Sequence, residues 1–538
     1  MGDKTIKIAL AQLNFCVGDI EGNTQKILTA IKRAKAKDAK LIVFSELALT
    51  GYPIEDLLFK EDLHLRVQHA LTLIRKLTQN FYVIVGYPEK KGKKYFNVAE
   101  VIYDGKMIAK RYKYHLPNYS VFDEKRYFEK GEKSCVFDFR GIKTGLLICE
   151  DLWFPELSKK AVALGAKWLI CISASPYDDK KFQKRIEILK SRISENSVPV
   201  VYVNLVGGQD ELVFDGRSFV MNEHQEVCAQ GKHCQEDLLF LEMHAGKSVK
   251  IKKEKLPKVL SKEEEIYSAL VLATRDYVMK NGFSSVYLGV SGGIDSALTL
   301  AIAVDALGPK HVTAIVMPSR YTALMSMEDA YALAGALKVK VIEIPITPMF
   351  NEFLKNLKKA LAKKPKDITE KNIQARVRAV LLMALANEFN GLVLTTSNKS
   401  EIAAGYSTLY GDMAGGFDVL KDVYKTMIYR LAAYRNQLKF VIPKRTITRA
   451  PTAELAPNQK DQDDLPPYDT LDIILKLFIE ENLSEEKIIQ KGFDESLVKE
   501  ILTLLKRCEY KRRQSPIGPR MTTCSFGKDW RFPVSGKK

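Results

Sequence analysis

Cys149 is the first residue of this 538-residue sequence with the makings of a nucleophile, because it closes an apolar run and opens a polar one. Gly145-Leu146-Leu147-Ile148 reads as a buried strand, and Glu150-Asp151-Leu152-Trp153 follows as the turn that would present the thiol. By composition alone a cysteine after such a run is usually an inert core residue. Two other groups shift that weighting. Glu46 ends a second run of this kind in Phe44-Ser45-Glu46, and carboxyl ends of strands in α/β sheets meet at the ligand crevice. Lys113, in Arg111-Tyr112-Lys113-Tyr114-His115-Leu116-Pro117, supplies a cation. A thiol nucleophile needs a base for its proton and a cation or donors for the oxyanion that develops, and a carboxylate with a lysine meets both needs.

A second constellation is built for phosphate. Val286-Tyr287-Leu288-Gly289-Val290 runs directly into Ser291-Gly292-Gly293-Ile294-Asp295-Ser296, and Ala297 to Ala306 then has helical character. Glycines let the backbone approach a ligand with its N–H groups turned inward, and the helix end adds a positive pole. Ser291 and Ser296 can add hydroxyl donors, and Asp295 is an oxygen ligand placed for a Mg²⁺ bridging the phosphates. The turn lacks the G-K-[ST] ending of a Walker A loop. Gly289 to Gly293 also fits G-x-S-x-G, the nucleophile elbow of α/β-hydrolases. Such a triad runs Ser, acid, His, and the one histidine after Ser291 is His311 at the head of the next strand, so the hydrolase reading fails on its partner.

Ser291 to Ser296 resembles the signature of the ATP pyrophosphatases, which split ATP between its α and β phosphates to adenylate a carboxylate or carbonyl. Met317-Pro318-Ser319-Arg320-Tyr321-Thr322, Asn372-Ile373-Gln374-Ala375-Arg376, Thr396-Ser397-Asn398-Lys399-Ser400-Glu401, Gly411-Asp412-Met413-Ala414-Gly415-Gly416 and Pro451-Thr452-Ala453-Glu454-Leu455 are similar to the NAD synthetases. They fall in order across most of residues 285 to 470. The resemblance implies a Rossmann-like, parallel-sheet ATP pyrophosphatase domain. In it Gly289, Val290, Ser291, Gly292, Gly293, Ile294, Asp295, Ser296 and Thr396 would bind ATP, Asp295 would hold Mg²⁺, and Asn372, Glu401 and Lys511 would bind deamido-NAD. Arg320, Arg376 and Lys425 are further cations suited to phosphate, although each read alone is a surface charge. Ala323 departs from the family, where a serine is expected, so that hydroxyl is not carried over.

The trio Glu46, Lys113 and Cys149 resembles the nitrilase superfamily, whose members cleave C–N bonds through a thioester, over about Lys7 to Gln230. The resemblance implies an α-β-β-α sandwich with the glutamate as general base and the lysine as transition-state stabiliser. It makes His115 a structural neighbour rather than a partner of the thiol. Leu116-Pro117-Asn118-Tyr119, Ser173-Ala174-Ser175-Pro176-Tyr177 with Lys181 beyond, and Val206 to Gly216 look like the glutaminase version that precedes NAD synthetases, in which Tyr119, Ser175 and Lys181 would hold glutamine. The implied reaction releases ammonia from L-glutamine at one site. That ammonia passes through a tunnel to adenylated deamido-NAD at the other, yielding NAD⁺, AMP, pyrophosphate and glutamate as the last step of NAD⁺ biosynthesis.

The elements that must position these groups alternate along the chain. Ile6 to Leu13, Leu41 to Phe44, Tyr82 to Val85, Gly145 to Ile148, Trp168 to Ile172 and Pro199 to Leu205 are β-rich, and Thr24 to Ala36 has a helical face. Val286 to Val290, Val312 to Met317, Val341 to Ile344 and Leu392 to Thr395 read as buried strands of a parallel sheet. Between them, Ala245 to Lys262 is lysine-rich with little to bury, and Ser261 with Glu264 forms a capping box for a helix ending at Asn281-Gly282. Two α/β domains result, a nitrilase-like glutaminase at 1–250 and a synthetase at 260–538. Leu354 to Lys366 reads as an exposed basic helix and loop, and Lys444 to Tyr468 as a long loop, of a length that inside a domain is usually functional or mobile.

Composition narrows the class. With 83 Lys+Arg against 65 Asp+Glu the chain carries +18, which suits a basic surface or a polyanionic ligand. Hydrophobic residues at 46% exclude wholesale disorder. No run reaches the roughly 18 apolar residues of a membrane span, and the N-terminus lacks a signal-like apolar core. Eight cysteines without a C-x-x-C pair fit neither a disulfide scaffold nor a zinc site. The expectation is a cytoplasmic enzyme of small-molecule substrates, without nucleic-acid or membrane partners, forming a homo-oligomer through the synthetase domain. Two rivals are an RNA-modifying ATP pyrophosphatase and a non-enzymatic nucleic-acid-binding protein; the first lacks a recognisable RNA-binding module, and the second predicts no ATP consumption.

Overall fold

Strands apolar on both faces need cover on both sides, and the chain supplies it twice. The structure, a computed structural model, describes residues 4–535 apart from 133, 246–247, 364, 458, 460 and 464. It divides into two units, 1–260 and 261–538.

In the first unit a seven-stranded sheet has the spatial order Val249–Ile251, Asp237–Ala245, Lys4–Gln12, Leu41–Phe44, Tyr82–Lys91, Lys94–Tyr103, Lys106–Tyr112. A six-stranded sheet runs Val227–Gln230, Phe219–Met221, Val200–Asn204, Trp168–Ser173, Ile142–Ile148, Cys135–Phe139. Alternate residues of one strand serve different layers. Leu41 and Val43 join Ile148, Ile170 and Val201 between the sheets, whereas Ile42 and Phe44 face helices Ile20–Ala36 and Glu61–Lys76. On the other outer face Leu147, Leu169 and Cys171 meet Leu157, Leu189 and Ile193 of helices Pro155–Ala163 and Lys181–Asn196. The result is an α-β-β-α sandwich. The first helix starts four residues earlier than its apolar pattern suggests, because Asp19 caps it by accepting a bond from the Gly22 amide at 2.9 Å.

The second unit carries a five-stranded parallel sheet ordered Lys340–Glu343, Val312–Val316, Val286–Gly289, Leu392–Thr395, Phe417–Asp418. Numbered along the chain this is 3-2-1-4-5, so the order reverses beside Val286–Gly289, where doubly wound folds open their ligand crevice. Helix Asp367–Glu388 packs Val377, Leu381 and Leu385 on Tyr287, Ile315 and Val393. Helix Ile294–Leu307 packs on strands Val286–Gly289 and Val312–Val316, which flank it in the chain, and on helices Lys262–Lys280 and Lys425–Leu438. A helical cluster of Tyr468–Ile479, Glu485–Ile489 and Glu495–Arg507 closes over Lys399–Ala404 through Leu471, Ile474, Ile501 and Ile402.

Other boundaries also differ from the sequence expectation. The lysine-rich stretch after Ala245 still yields strand Val249–Ile251, paired with Asp237–Ala245, so the segment without helix or strand is 252–261. Ser261 caps the next helix as expected, its hydroxyl accepting from the Glu264 amide at 3.2 Å. The basic helix begins at Thr347 rather than near Leu354, and the long loop contains helix Lys444–Thr448 and a turn at Asp461–Asp463. No described helix is long and apolar enough to cross a membrane.

Two candidate active sites

In the first unit Glu46, two residues beyond strand Leu41–Phe44, and Lys113, just beyond strand Lys106–Tyr112, meet in the interior. Both are 1% exposed, with Lys113 Nζ donating to Glu46 Oε1 at 2.7 Å. The same Oε1 accepts from Asn97 Nδ2 at 2.7 Å, and Oε2 accepts from the Ala174 amide at 2.9 Å, which fixes the carboxylate plane. Lys113 has a second carboxylate partner, Glu124 at 2.8 Å, which also accepts from the Tyr52 hydroxyl at 2.9 Å. Burial opposes the lysine's charge, but Glu124 and Glu46 outweigh it and hold the ammonium well above its ordinary pKa. Burial first, then Glu46, pushes the Glu124 carboxyl up to about 7 against the pull of Lys113.

Cys149 stands where Ile142–Ile148 gives way to a 3₁₀ turn, Cys149–Leu152, with φ of +45°. That left-handed backbone is strained for a residue with a Cβ and turns the side chain out of the strand's line. Burial, then the negative charge of Glu46, raises the thiol well above its usual pKa, and Lys113 opposes them. The thiol is therefore neutral at rest, with a base and a cation in electrostatic reach. Asp151 holds the turn: its carboxylate accepts from the amides of Tyr114 (3.0 Å) and His115 (2.9 Å) and from Arg111 Nη2 (2.8 Å), so one buried group binds the cysteine's turn to the lysine's strand end.

Two of the three glutamine candidates, Tyr119 and Lys181, lie by Glu150, and Ser175 is held elsewhere. The Tyr119 hydroxyl donates to Glu150 Oε1 at 3.0 Å, and the ammonium of Lys181 lies 4.5 Å from the Trp153 ring centre and within charge range of Glu150. Burial raises the Glu150 carboxyl. Ser175 Oγ accepts from Arg185 Nε at 3.1 Å, and Arg185 in turn pairs with Asp215 at 2.8 Å, both side chains fully buried. Asp215 ends hairpin Val206–Gln209/Leu212–Asp215, which is the structural use of the Val206 to Gly216 segment. His115 Nε2 lies 2.8 Å from a Glu156 carboxylate oxygen without completing a hydrogen bond to it.

In the second unit the turn after Val286–Gly289 is self-braced. Ser291 Oγ accepts from the Gly293 amide at 3.2 Å, Ser296 Oγ donates to the Gly293 carbonyl at 3.1 Å, and helix Ile294–Leu307 starts at once. Gly292 has φ of +82°, and a Cβ there would lie 2.2 Å from the Ser326 carbonyl oxygen. Gly289, Val290, Ser291 and Thr396 line a cavity of about 240 Å³, and Ser291, Gly292, Gly293 and Ile294 line an adjoining one of about 90 Å³. Glu454 borders both, tied to Ser326 Oγ (2.6 Å) and Arg449 (2.8 Å), so the long loop lies against the glycine turn.

Asp295 accepts from Asn398 Nδ2 at 2.9 Å and from Lys425 Nζ at 2.5 Å, and the same ammonium reaches Glu401 at 3.0 Å. Lys425, read as a phosphate cation, is thus already engaged by carboxylates. Burial and then the carboxylates Asp295 and Asp461 push Glu401 up to about 8 despite Lys425. Among the described residues no group of three or more His, Cys, Asp or Glu could hold a metal by itself. An oxygen-donor set of Asp295 and Glu401 beside a phosphate turn nonetheless fits Mg²⁺, which usually takes one or two carboxylates and fills its shell from phosphates and water. Asn372 accepts from Thr408 at 3.0 Å, Lys511 donates to the Gly405 (2.9 Å) and Ser407 (3.0 Å) carbonyls, and exposed Arg376 donates to the Leu409 carbonyl. Arg320 lies over Tyr321 and Phe350.

Sequence reasoning missed Asn97, Glu124, Asp151, Arg185 and Asp461. The acidic pair after Cys149 was the one signal within reach, since buried strand ends seldom continue into two carboxylates without a use for them.

Residues 7–252 match the carbon-nitrogen hydrolase family and residues 266–515 the NAD synthase family. Over its length the chain is similar to glutamine-dependent NAD(+) synthetases: 46% identical to that of Acinetobacter baylyi over 99% of this chain and 98% of that one, and 45% identical to that of Aquifex aeolicus over 99% of each. Among solved structures, the glutamine-dependent NAD+ synthetase of Acinetobacter baumannii, in complex with adenosine diphosphate, matches with a TM-score of 0.81 and 44% identity, covering 99% of this chain and 98% of that one.

Proposed function

The chain belongs to the glutamine-dependent NAD+ synthetases, and from that premise we propose which of its atoms carry each half of the reaction. In the glutaminase domain, 1–250, Glu46 takes the proton of Cys149 as Sγ attacks the glutamine carboxamide. Lys113 stabilises the oxyanion, ammonia departs, and water releases glutamate from the thioester. Tyr119, Ser175 and Lys181 hold the amino-acid end of glutamine. Glu124 is a positioning residue: by sharing the ammonium with Glu46 it keeps Lys113 charged inside an apolar shell. A neutral thiol beside a fixed carboxylate favours activation by a base over activation by a depressed pKa.

In the synthetase domain, 260–538, the turn Gly289 to Ser296 and Thr396 seat ATP, while Asn372, Glu401 and Lys511 contact deamido-NAD. Asp295, with Glu401 beside it, would hold Mg²⁺, which neutralises phosphate charge and aids pyrophosphate release. The nicotinate carboxylate is adenylated, ammonia displaces AMP, and NAD⁺ results. The synthetase unit is the place for contacts in a homo-oligomer, and the eight free cysteines suit a reducing cytoplasm.

The observation that carries this reading is the convergence of Glu46 and Lys113 at 2.7 Å on the side of the sheet where both charges act on Cys149. Purified protein given ATP, Mg²⁺ and deamido-NAD with glutamine or with ammonium tests it. Cys149→Ala abolishes glutamine-driven synthesis and leaves ammonium-driven synthesis intact. Loss of both, or of neither, overturns the assignment.

A further inference from the structure

At the edge of the parallel sheet in the second unit, two buried polar side chains lie together without a completed hydrogen bond. Thr395 and Asp418 face each other across the parallel ladder at the carboxyl ends of strands Leu392–Thr395 and Phe417–Asp418. Asp418 is fully buried, and neither of its carboxylate oxygens has a hydrogen-bond partner. Thr395, 4% exposed, has an unpartnered Oγ1 as well. The Thr395 hydroxyl and the Leu420 amide lie next to the Asp418 carboxylate without completing a bond to it. Asp412 adds a second acidic group within charge range, its Oδ1 accepting from the Thr408 amide at 2.8 Å. Lys421 is the nearby cation, and its Nζ donates to the Pro516 carbonyl at 2.5 Å. Thr395 and Asp412 both line the 240 Å³ cavity that the glycine turn opens into.

Leaving a buried carboxylate and a buried hydroxyl unpaired is costly unless a ligand completes them. That ligand must offer donors, must be small, and must be accepted next to negative charge. A phosphate, a nicotinate carboxylate and an adenylate all fail the last condition. We propose that Asp418 and Thr395, with Asp412 beside them, form the seat for the nitrogen nucleophile of the synthetase reaction, held there as ammonium, which presents N–H donors alone, until a proton passes to the Asp418 carboxylate and the freed lone pair of ammonia attacks. The seat rests on the reading of this unit as the amidating centre and extends it by naming where the nucleophile waits beside the cavity.

The test uses the full-length chain in ammonium-driven synthesis. Asp418→Asn keeps the shape and removes the charge, and Thr395→Val removes the hydroxyl at constant volume. Losing a charged acceptor raises KM for ammonium about tenfold or more in Asp418→Asn, and losing the neutral one raises it less in Thr395→Val. The KM values for ATP and deamido-NAD stay put, as does ATP–pyrophosphate exchange, which needs no ammonia. With glutamine, Asp418→Asn forms more glutamate than NAD⁺. Unchanged KM for ammonium in both variants means a pocket that holds water only and overturns the proposal, as does an equal rise in all three KM values. If Asp418→Asn fails to fold, Thr395→Val alone decides. Wild-type protein that makes no NAD⁺ from either donor refutes the amidating centre itself, a result distinct from failure of the seat.

Discussion

Glu46→Gln isolates the role of one proton acceptor. The side chain keeps its volume but must place an NH₂ at one of two positions. At the Oε1 position it meets the Lys113 ammonium and the Asn97 NH₂, each 2.7 Å away; at the Oε2 position it meets the Ala174 amide at 2.9 Å. A donor faces a donor either way, and Cys149 loses its base. Positioned general bases contribute about 10²- to 10⁴-fold to rate, and glutamine-driven turnover falls by that much. Removing one partner of a buried ion pair costs about 3–5 kcal/mol, but Glu124 still covers Lys113 at 2.8 Å, so the loss lies at the low end of that range. Stopped assays with glutamine and with ammonium on the same preparation separate the two effects, since ammonium-driven synthesis reports whether the chain is folded. A fall of less than about tenfold with glutamine, below the span of positioned bases, refutes the base assignment. A parallel fall with ammonium refutes the division of labour.

Iodoacetamide inactivation of the free enzyme follows the Cys149 thiolate: because burial and Glu46 raise this thiol, the rate is slow near neutrality and keeps climbing beyond the ordinary cysteine range, and a plateau below pH 8 contradicts the structure. Tyr119→Phe removes the hydroxyl on Glu150; KM for glutamine rises by up to about tenfold, and the ammonium-driven reaction, assayed alongside, does not change. Gly292→Ala adds a left-handed penalty of about 1–2 kcal/mol and a clash with the Ser326 carbonyl, so synthesis is lost with either donor while glutamine hydrolysis continues; normal synthesis by this variant removes the glycine turn from the site.

Glu46 and Cys149 were legible as candidates because each stands just past an apolar run, whereas Lys113 follows Lys106–Tyr112, a strand whose Lys106, Lys110 and Arg111 disguise it. The glycine turn was legible for a related reason, strand and helix meeting with nothing between them but Val290 to Gly293. The buried charges were not. Arg111 with Asp151, and Arg185 with Asp215, are fully enclosed ion pairs, yet in sequence each is one more polar residue among many. Glu124 sits in Asp123-Glu124-Lys125-Arg126, a stretch indistinguishable from solvated surface until Lys113 is seen to need it. Strand Lys94–Tyr103 begins inside the lysine-rich stretch Lys90 to Lys94, whose charges mask its extended backbone, and Lys425 was read as a phosphate ligand because nothing local announces Asp295 and Glu401 as its partners.

Segment 252–261 contains no helix or strand, and each sheet formed by the described residues is built from strands of a single unit. The candidate residues of the first site all precede that segment in the chain, and those of the second all follow it. Duplication, fusion or fission at that point leaves both chemistries spelled out intact, so natural recombination, or a protein engineer, can trade the nitrogen-releasing half for another donor without rewriting the half that spends it.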